Sequence, residues 1–474
     1  MEKTSAFLAE LTALLGPKGV TSDPDLLAPW LVDWRGRYRG EALAMASPAS
    51  TGEVAATMKL CAQHAIAIVP QGGNSGMVGG ATPDTSGSAL LLSLRRMNRI
   101  HEIDEEARLA TCEAGVILQD LHEAALEKGL RFPLTLGGKG SATVGGLVST
   151  NAGGTQVLRH GSMRALVEGL EAVMPDGSVF SMLTPLKKDN RGFDLKQLPI
   201  GSEGTLGIVT AASLRLVPAL AERTVAWAGL GSLQEARQLL LHCQDAASDA
   251  LEGFEVMPQA SLEAVLEYLP DARAPLSSAH PWHALIEFAA SDNRTSEELR
   301  ERVEAILGEA MEQGLLTDAV LSASEAQAEA FWLLRDSIAP AEKARGVAVQ
   351  HDISVPVARM PDFVDHLSAE LAGAFPDTET VAFGHLGDGN VHFHVIAPGT
   401  DANTGWHDTT GKAISARVYD LVTQWGGSIS AEHGIGQLKR EEHARLADPA
   451  ALAMLRAVKQ ALDPQGLLNP GKLV

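Results

Sequence analysis

The sequence predicts an α+β chain made of a glycine-loop domain, an antiparallel-sheet domain and a short helical C-terminal segment. Three observations predict it. At 474 residues the chain is too long for one core, so two or three domains are expected. Three glycine-rich loops, at 71–80, 136–154 and 201–207, lie in the first part, whereas glycine is scarce from Thr224 to about Phe383. In that second stretch strands are separated by longer helices, the pattern of an antiparallel sheet with helices on one face. The boundaries are placed at 1–220, 221–425 and 426–474.

The elements follow in order. The first residues read as an amphipathic helix, because they lack the basic start and sustained apolar run of a secretion signal. Ala42–Ala46 is a short strand, and Ser50-Thr-Gly-Glu53 is a capping box opening a helix to about His64. The apolar strand 65–70 delivers the chain into the first glycine loop. Strands follow at Ala89–Leu94 and Leu109–Glu113, and Ile117–Lys128 is a helix stopped by Gly129. After the second glycine tract, Met174-Pro-Asp-Gly-Ser178 is a hairpin turn, and the third precedes two strands that close the domain near Pro218. The second domain alternates strand 225–230, helix 233–243, strand 254–256, helix 260–268, strand 282–288 and helix 296–311. A helix near 448–462 and a tail to Lys472 finish the chain.

Charge narrows the functional classes. With 38 Lys and Arg against 59 Asp and Glu, the formal net charge of -21 disfavours nucleic acid and anionic membrane surfaces as partners. Cys61, Cys112 and Cys243 are odd in number and widely spaced, which argues against a disulfide framework or a cysteine-rich zinc site. No stretch reaches the roughly eighteen apolar residues of a membrane span, and a cytoplasmic protein is expected.

The most chemically informative run is Gly384-His-Leu-Gly-Asp-Gly-Asn-Val-His-Phe-His-Val395, followed by Ser430-Ala-Glu-His-Gly434. Gly387-Asp-Gly-Asn390 reads as a turn, and the alternation after it puts His392 and His394 on one strand face, with His385 just before the turn. Imidazole and carboxylate suit zinc or a similar divalent ion, and a catalytic site keeps one position open. A metal hydrolase could use such a site. A binding protein would close it, with His394 or His433 as fourth ligand.

Glycine at strand ends lets backbone amides approach a large, partly anionic ligand. The loops match neither G-x-G-x-x-G before a helix nor G-x-x-x-x-G-K-[ST], so nicotinamide on a Rossmann fold and P-loop NTPase chemistry are both disfavoured.

Pro70-Gln-Gly-Gly-Asn-Ser-Gly-Met-Val-Gly-Gly80, Gly145-Gly-Leu-Val-Ser-Thr-Asn-Ala-Gly-Gly154 and Ile200-Gly-Ser-Glu-Gly-Thr-Leu-Gly-Ile-Val209 resemble the FAD-binding domain of the vanillyl-alcohol-oxidase-like flavoproteins. The two histidine segments resemble the FAD-linked D-2-hydroxyacid dehydrogenases. Within that family the first loop and Lys188-Asp-Asn-Arg-Gly-Phe-Asp-Leu-Lys-Gln197 are most similar to the members acting on D-2-hydroxyglutarate. The resemblance implies that 1–220 is a two-subdomain FAD-binding domain of the PCMH type, 221–425 a substrate (cap) domain, and 426–474 a segment returning to the FAD domain and active site.

Residue by residue, the resemblance implies that the FAD is lined by Pro70, Gly72, Gly73, Asn74, Ser75, Gly76, Pro133, Thr135, Gly137, Gly145, Gly146, Ser149, Asn151, Gly153, Gly207, Ile208 and Asn469. Asn74 stands where covalently flavinylated relatives carry histidine, so the FAD is expected to be non-covalent. His385, His392 and Glu432 are implied as ligands of zinc or of another divalent ion such as manganese or cobalt, with His433 as base and Arg335 as carboxylate clamp. Ala339, Gln350 and His394 are implied to line the substrate. They depart from the hydroxyl residue, lysine and asparagine of the glutarate members, which leaves D-malate and D-lactate as alternative substrates. An electron-transfer flavoprotein, quinone or cytochrome acceptor and a homodimer are further implications of the family.

Overall fold

The computed structural model describes residues 2–290, 295–399 and 405–473. It divides into two compact units, one of Met1–Gly154, His160–Pro218 and Glu432–Val474, the other of Thr155–Arg159 and Ala219–Ala431. Helices and sheets are mixed in both, as the α+β expectation requires. No helix among the described residues is long and apolar enough to cross a membrane.

The first unit holds strands β1 (Val20–Thr21), β2 (Ala44–Ala46), β3 (Ile68–Gln71), β4 (Leu90–Ser93), β5 (Ile100–Asp104), β6 (Leu109–Glu113), β7 (Leu130–Arg131), β8 (Val167–Val173), β9 (Val179–Met182), β10 (Ile208–Arg215) and β11 (Val217–Pro218). They form a sheet of order β1-β2-β4-β3, an antiparallel sheet β5-β6-β10-β8-β9 and the pair β11-β7. In the first sheet β2, β4 and β3 run parallel, and the helix Thr51–His64 is the crossover that carries the chain from β2 to β3, on either side of β4. That helix starts where the capping box was expected. Ser50 Oγ accepts the Glu53 N–H at 3.2 Å, but the Glu53 carboxylate reaches one residue further back, to the Ala49 N–H at 2.7 Å. The C-terminal tail returns to this sheet, with Ile68 N–H donating to Leu467 O at 2.8 Å and Asn469 N–H to Ile68 O at 2.7 Å. The three cysteines are buried, and burial pushes each thiol up to about 12, which removes them as nucleophiles at neutral pH.

The second unit is one seven-stranded antiparallel sheet. Its strands are β12 (Glu222–Leu230), β13 (Leu251–Pro258), β14 (Trp282–Ala290), β15 (Asp318–Leu321), β16 (Ala348–Ser354), β17 (Glu379–His385) and β18 (Asn390–Ile396), in the order β15-β12-β14-β13-β17-β18-β16. The expectation of helices on one face is corrected: helices cover both. Val225, Trp227, Leu285, Val381 and Phe383 pack under Leu262 and Val265, Phe331 and Leu334, and Ile338 and Ala341, from the helices Gln259–Tyr268, Glu325–Asp336 and Ile338–Arg345. The alternate residues Ala226, Ala228, Ile286 and Phe288 are equally buried, and the helices Leu233–Ala247 and Ser296–Glu312 pack against these strands from the other side. A strand buried on both faces reads as a continuous apolar run, so Val-Ala-Trp-Ala-Gly-Leu carried no alternation from which to count helix layers.

One buried cation in the first unit has a measurable consequence. Lys472 is only 3% exposed, and burial pulls its ammonium from 10.5 down to about 8, with Asp84 opposing and Arg440 adding to the shift. The folded state therefore binds fewer protons than the unfolded chain between those values. The burial penalty is complete below about 8 and fades as pH rises towards 10.5. Lys472→Met is expected to be more stable than the parent at neutral pH, by roughly 1–3 kcal/mol. Denaturant melts at neutral and strongly alkaline pH should show that advantage shrinking as the pH rises.

Candidate active site

Strand register in the second unit collects the titratable groups on one face. β17 and β18 pair Phe383 with His392 and His385 with Asn390, β16 sets Asp352 opposite His392 and Gln350 opposite His394, and β13 sets Glu255 opposite His385. The turn between β17 and β18 therefore brings the His385 and His392 rings to 5.4 Å between centroids. Phe383 lies beside both His392 and His394, at 5.1 and 5.2 Å.

His385 is oriented by its neighbours. Its Nδ1 lies 2.5 Å from Glu255 Oε1, and Arg335 Nη2 lies 3.3 Å from its Nε2. An imidazole donating from Nδ1 to a carboxylate presents the Nε2 lone pair, the form a metal ligand needs. Burial alone would raise the pKa of Glu255. Arg335, whose Nε and Nη2 lie 2.8 and 2.7 Å from Oε2, and His385 outweigh burial and hold the carboxyl at about 2. His392 is half-buried by accessible surface yet closely enclosed. Desolvation, then the nearby charges of His385 and Arg335, pull it well below its ordinary value and keep it neutral. A neutral imidazole is ligand-competent.

The remaining residues of this face have partners that the sequence did not advertise. Arg335 directs Nε and Nη2 to Glu255, with Nη1 3.8 Å from Asp336. His394 Nδ1 bonds the buried carboxylate of Glu342, from the helix that also carries Ala339. Asn390, expected only as a turn residue, donates to Asp352 Oδ1 and to Ile353 O, both at 3.0 Å. Glu255 and Glu342 went unnoticed at the sequence level. The available signal for Glu255 was an acid inside an apolar strand, Gly-Phe-Glu-Val-Met, whereas Glu342, in a helix that also carries Lys343 and Arg345, had none.

The first unit brings its glycine loops together. A Cβ on Gly72 would lie 2.3 Å from Thr143 Oγ1, and one on Gly73 only 1.7 Å from Ser141 O, while a Cβ on Gly138 would meet Ser75 Cβ at 3.8 Å. Gly146 faces the same Thr143 hydroxyl, and Gly145 packs on Ala114. Thr143 Oγ1 is buried with no partner. Gly76 and Gly137 have open space where a side chain would start. Two loops touching through bare backbone, around an orphaned hydroxyl and open positions, fit a ligand that takes close backbone contacts, as FAD does.

The other residues expected to line FAD sit in the same unit. Pro70 is the next-to-last residue of β3, where its ring packs under Gly204, and Pro133 and Gly153 are buried. Thr135 O approaches Gly154, and Ser149 O accepts the Glu203 N–H at 2.8 Å. Gly207 and Ile208 enter β10, with Ile208 in the core. Asn74, Asn151 and Asn469 all have φ near +50°. Part of each amide is committed to the protein: Asn74 Nδ2 donates to Val32 O at 2.9 Å, Asn151 Oδ1 accepts from Arg164 N–H at 2.9 Å, and Asn469 Nδ2 donates to Glu203 O at 2.7 Å, while Asn469 Oδ1 is buried with no partner. Each holds a loop.

Glu432 and His433 lie in the loop that opens the last segment of the first unit, both half-buried. Ala431 ends the sheet unit, where its N–H approaches Asp352 O at 3.3 Å, and Glu432 follows by one peptide bond.

A glycine-loop unit joined to a large antiparallel-sheet unit with this histidine turn is the build of a two-domain flavoprotein. Residues 42–182 match the FAD binding domain family, and 220–473 match the C-terminal domain of the FAD linked oxidases. The fold agrees with that of p-cresol methylhydroxylase solved with substrate bound, at a TM-score of 0.73 and 14% identity, covering 100% of this chain and 97% of that one. The chain is 37% identical over 461 residues to the mitochondrial D-2-hydroxyglutarate dehydrogenase of Arabidopsis thaliana, spanning 97% of this chain and 80% of that one. It is 38% identical over 449 residues to the D-2-hydroxyglutarate dehydrogenase of Xanthomonas citri pv. viticola, spanning 93% and 91%. The chain belongs to the FAD linked oxidases, grouping there with FAD-linked D-2-hydroxyacid dehydrogenases, and is an FAD-dependent oxidoreductase.

Proposed function

We propose that this protein oxidises a D-2-hydroxyacid to the 2-oxo acid, with D-2-hydroxyglutarate as first substrate, at a divalent ion held by His385, His392 and Glu432. The observation that carries this reading is the Glu255-oriented His385 beside a neutral His392. Bound FAD supplies a two-electron hydride acceptor, and a bound divalent ion, zinc first, supplies Lewis acidity at the substrate 2-hydroxyl. His433 takes the hydroxyl proton as the Cα hydrogen leaves with its electron pair, so one proton and one hydride depart and the 2-oxo acid remains. Arg335 holds the substrate carboxylate. Its Nη2 lies 3.3 Å from His385 Nε2, so the guanidinium stands beside the nitrogen that would hold the ion.

The non-covalent flavin, the separate electron acceptor (an electron-transfer flavoprotein, a quinone or a cytochrome), the homodimer and a cytoplasmic location belong to the same reading. D-malate and D-lactate are the alternative substrates, because Gln350 and Ala339 are uncharged and His394 is engaged with Glu342. A metal hydrolase would leave the glycine cradle without a use. The test is anaerobic mixing of the FAD-loaded protein with each acid. D-2-hydroxyglutarate should bleach the visible flavin band fastest, the other two more slowly and the L-enantiomers not at all. If none of the three D-acids bleached it, the reading would be wrong.

A further inference from the structure

The third glycine loop contains a residue that neither the flavin cradle nor the chemistry above has used. Glu203 is 8% exposed and has φ of +53°, a conformation unusual for a glutamate. Its side chain crosses 232 and 233 positions of sequence to accept two backbone N–H groups, Ile435 at Oε1 and Gly436 at Oε2, both at 2.7 Å. These amides lie two and three residues beyond His433. Gly434 passes so close that a Cβ there would lie 2.9 Å from Glu203 Oε1, and Gly80 so close that a Cβ would lie 3.5 Å from Oε2. The main chain of Glu203 is fixed at both ends, its N–H on Ser149 O at 2.8 Å and its C=O accepting Asn469 Nδ2 at 2.7 Å.

We infer that Glu203 is a positioning residue whose carboxylate clamps the Glu432-His433-Gly434 segment and so sets where the base and one metal ligand stand. The inference rests on the role proposed for those two residues. A carboxylate accepting two N–H groups gives a stronger and more directional hold than a neutral acceptor. A strained backbone retained at a buried site points to a conformation that its surroundings require. Sub-ångström placement matters here, since a misplacement of about 1 Å in a catalytic group can cost about a hundredfold in rate. Burial raises the Glu203 pKa, partly offset by the Ile435 and Gly436 amides and by Lys439. A group that is costly to bury has been kept where it meets those two amides.

The test compares Glu203→Gln, Glu203→Asp and His433→Asn in the FAD- and zinc-loaded protein. Glutamine keeps the size but replaces one acceptor with a donor facing an N–H. Aspartate keeps the charge but is too short to reach both. For Glu203→Gln we expect flavin occupancy near the parent's, a flavin-reduction rate constant per bound flavin lower by about 10- to 100-fold, KM for the hydroxyacid little changed and an altered acid limb of the rate profile. Zinc affinity, read by competition with a chelating dye and so independent of turnover, should weaken about 10- to 100-fold. If Glu203→Gln does not fold, Glu203→Asp answers the same question. A folded variant with parental rate constant and zinc affinity would overturn the inference, while an inactive His433→Asn beside it would leave the dehydrogenase reading standing. A fully active His433→Asn would instead remove the base role given to His433 while leaving the dehydrogenase reading, and the zinc affinity of the Glu203 variants would still judge the clamp.

Discussion

Replacing His385 with alanine is expected to remove catalysis while leaving the protein folded. The imidazole is one of two histidines, at the end of β17 and within β18, whose rings lie 5.4 Å apart, and Glu255 fixes its Nδ1 so that Nε2 is presented. Losing only an outer hydrogen-bond partner of a metal-ligating histidine typically costs 10- to 100-fold in metal affinity, so losing the ligand should cost more than about a hundredfold. Substrate-driven flavin reduction should fall at least as far. Stability should suffer less, by roughly 1–3 kcal/mol, as for an ordinary buried truncation. Glu255 keeps Arg335 as its partner, at 2.7 Å, so no buried charge is stranded. Zinc stoichiometry by elemental analysis, beside the visible spectrum, checks this. Low zinc with a normal flavin spectrum is the expected pair, and parental zinc content would contradict the ligand assignment.

Glu255→Ala is expected to act on the opposite balance, with stability lost first. The carboxylate is 1% exposed and faces Arg335 and His385 together, while Arg335 is itself 12% exposed. Removing one member of a buried ion pair leaves the other desolvated and uncompensated, which typically costs 3–5 kcal/mol. Asp336, 3.8 Å from Nη1, is a weak substitute. For a unit of this size the loss corresponds to roughly 10 °C in Tm. Glu255→Gln should lose less, because its carbonyl can still accept from Arg335. Thermal melts of the two variants decide it, and an alanine variant within about 1 kcal/mol of the parent would mean that the pair contributes little.

Local features of the fold and site were legible, and long-range ones were not. Ser50 as a helix cap, the 174–178 hairpin turn and the shared face of His392 and His394 all follow from spacings of a few residues, where turn chemistry and strand alternation act directly. Glu255 could not be read in this way. It sits 130 residues before His385, and only the antiparallel register of β13 against β17 brings them together. Glu342 reaches His394 across 52 residues for the same kind of reason. The helices on both faces of the sheet were hidden because strands buried on both sides lose their alternation. Among the glycine loops, sequence singled out segments that the fold brings against one another, but not which residues hold the loops. Asn74 and Asn469 donate to backbone carbonyls, Asn151 accepts from Arg164 N–H and Ser162 Oγ, and Glu203 appeared merely as a letter between glycines.

The most direct test is the rate of flavin reduction by D-2-hydroxyglutarate, followed anaerobically in one preparation before chelation, after chelation and after zinc is restored. A flavin and a metal acting on one substrate predict rapid bleaching, its loss with the FAD still bound, and its return with zinc. Unchanged bleaching in the chelated protein would contradict the role given to His385, His392 and Glu432.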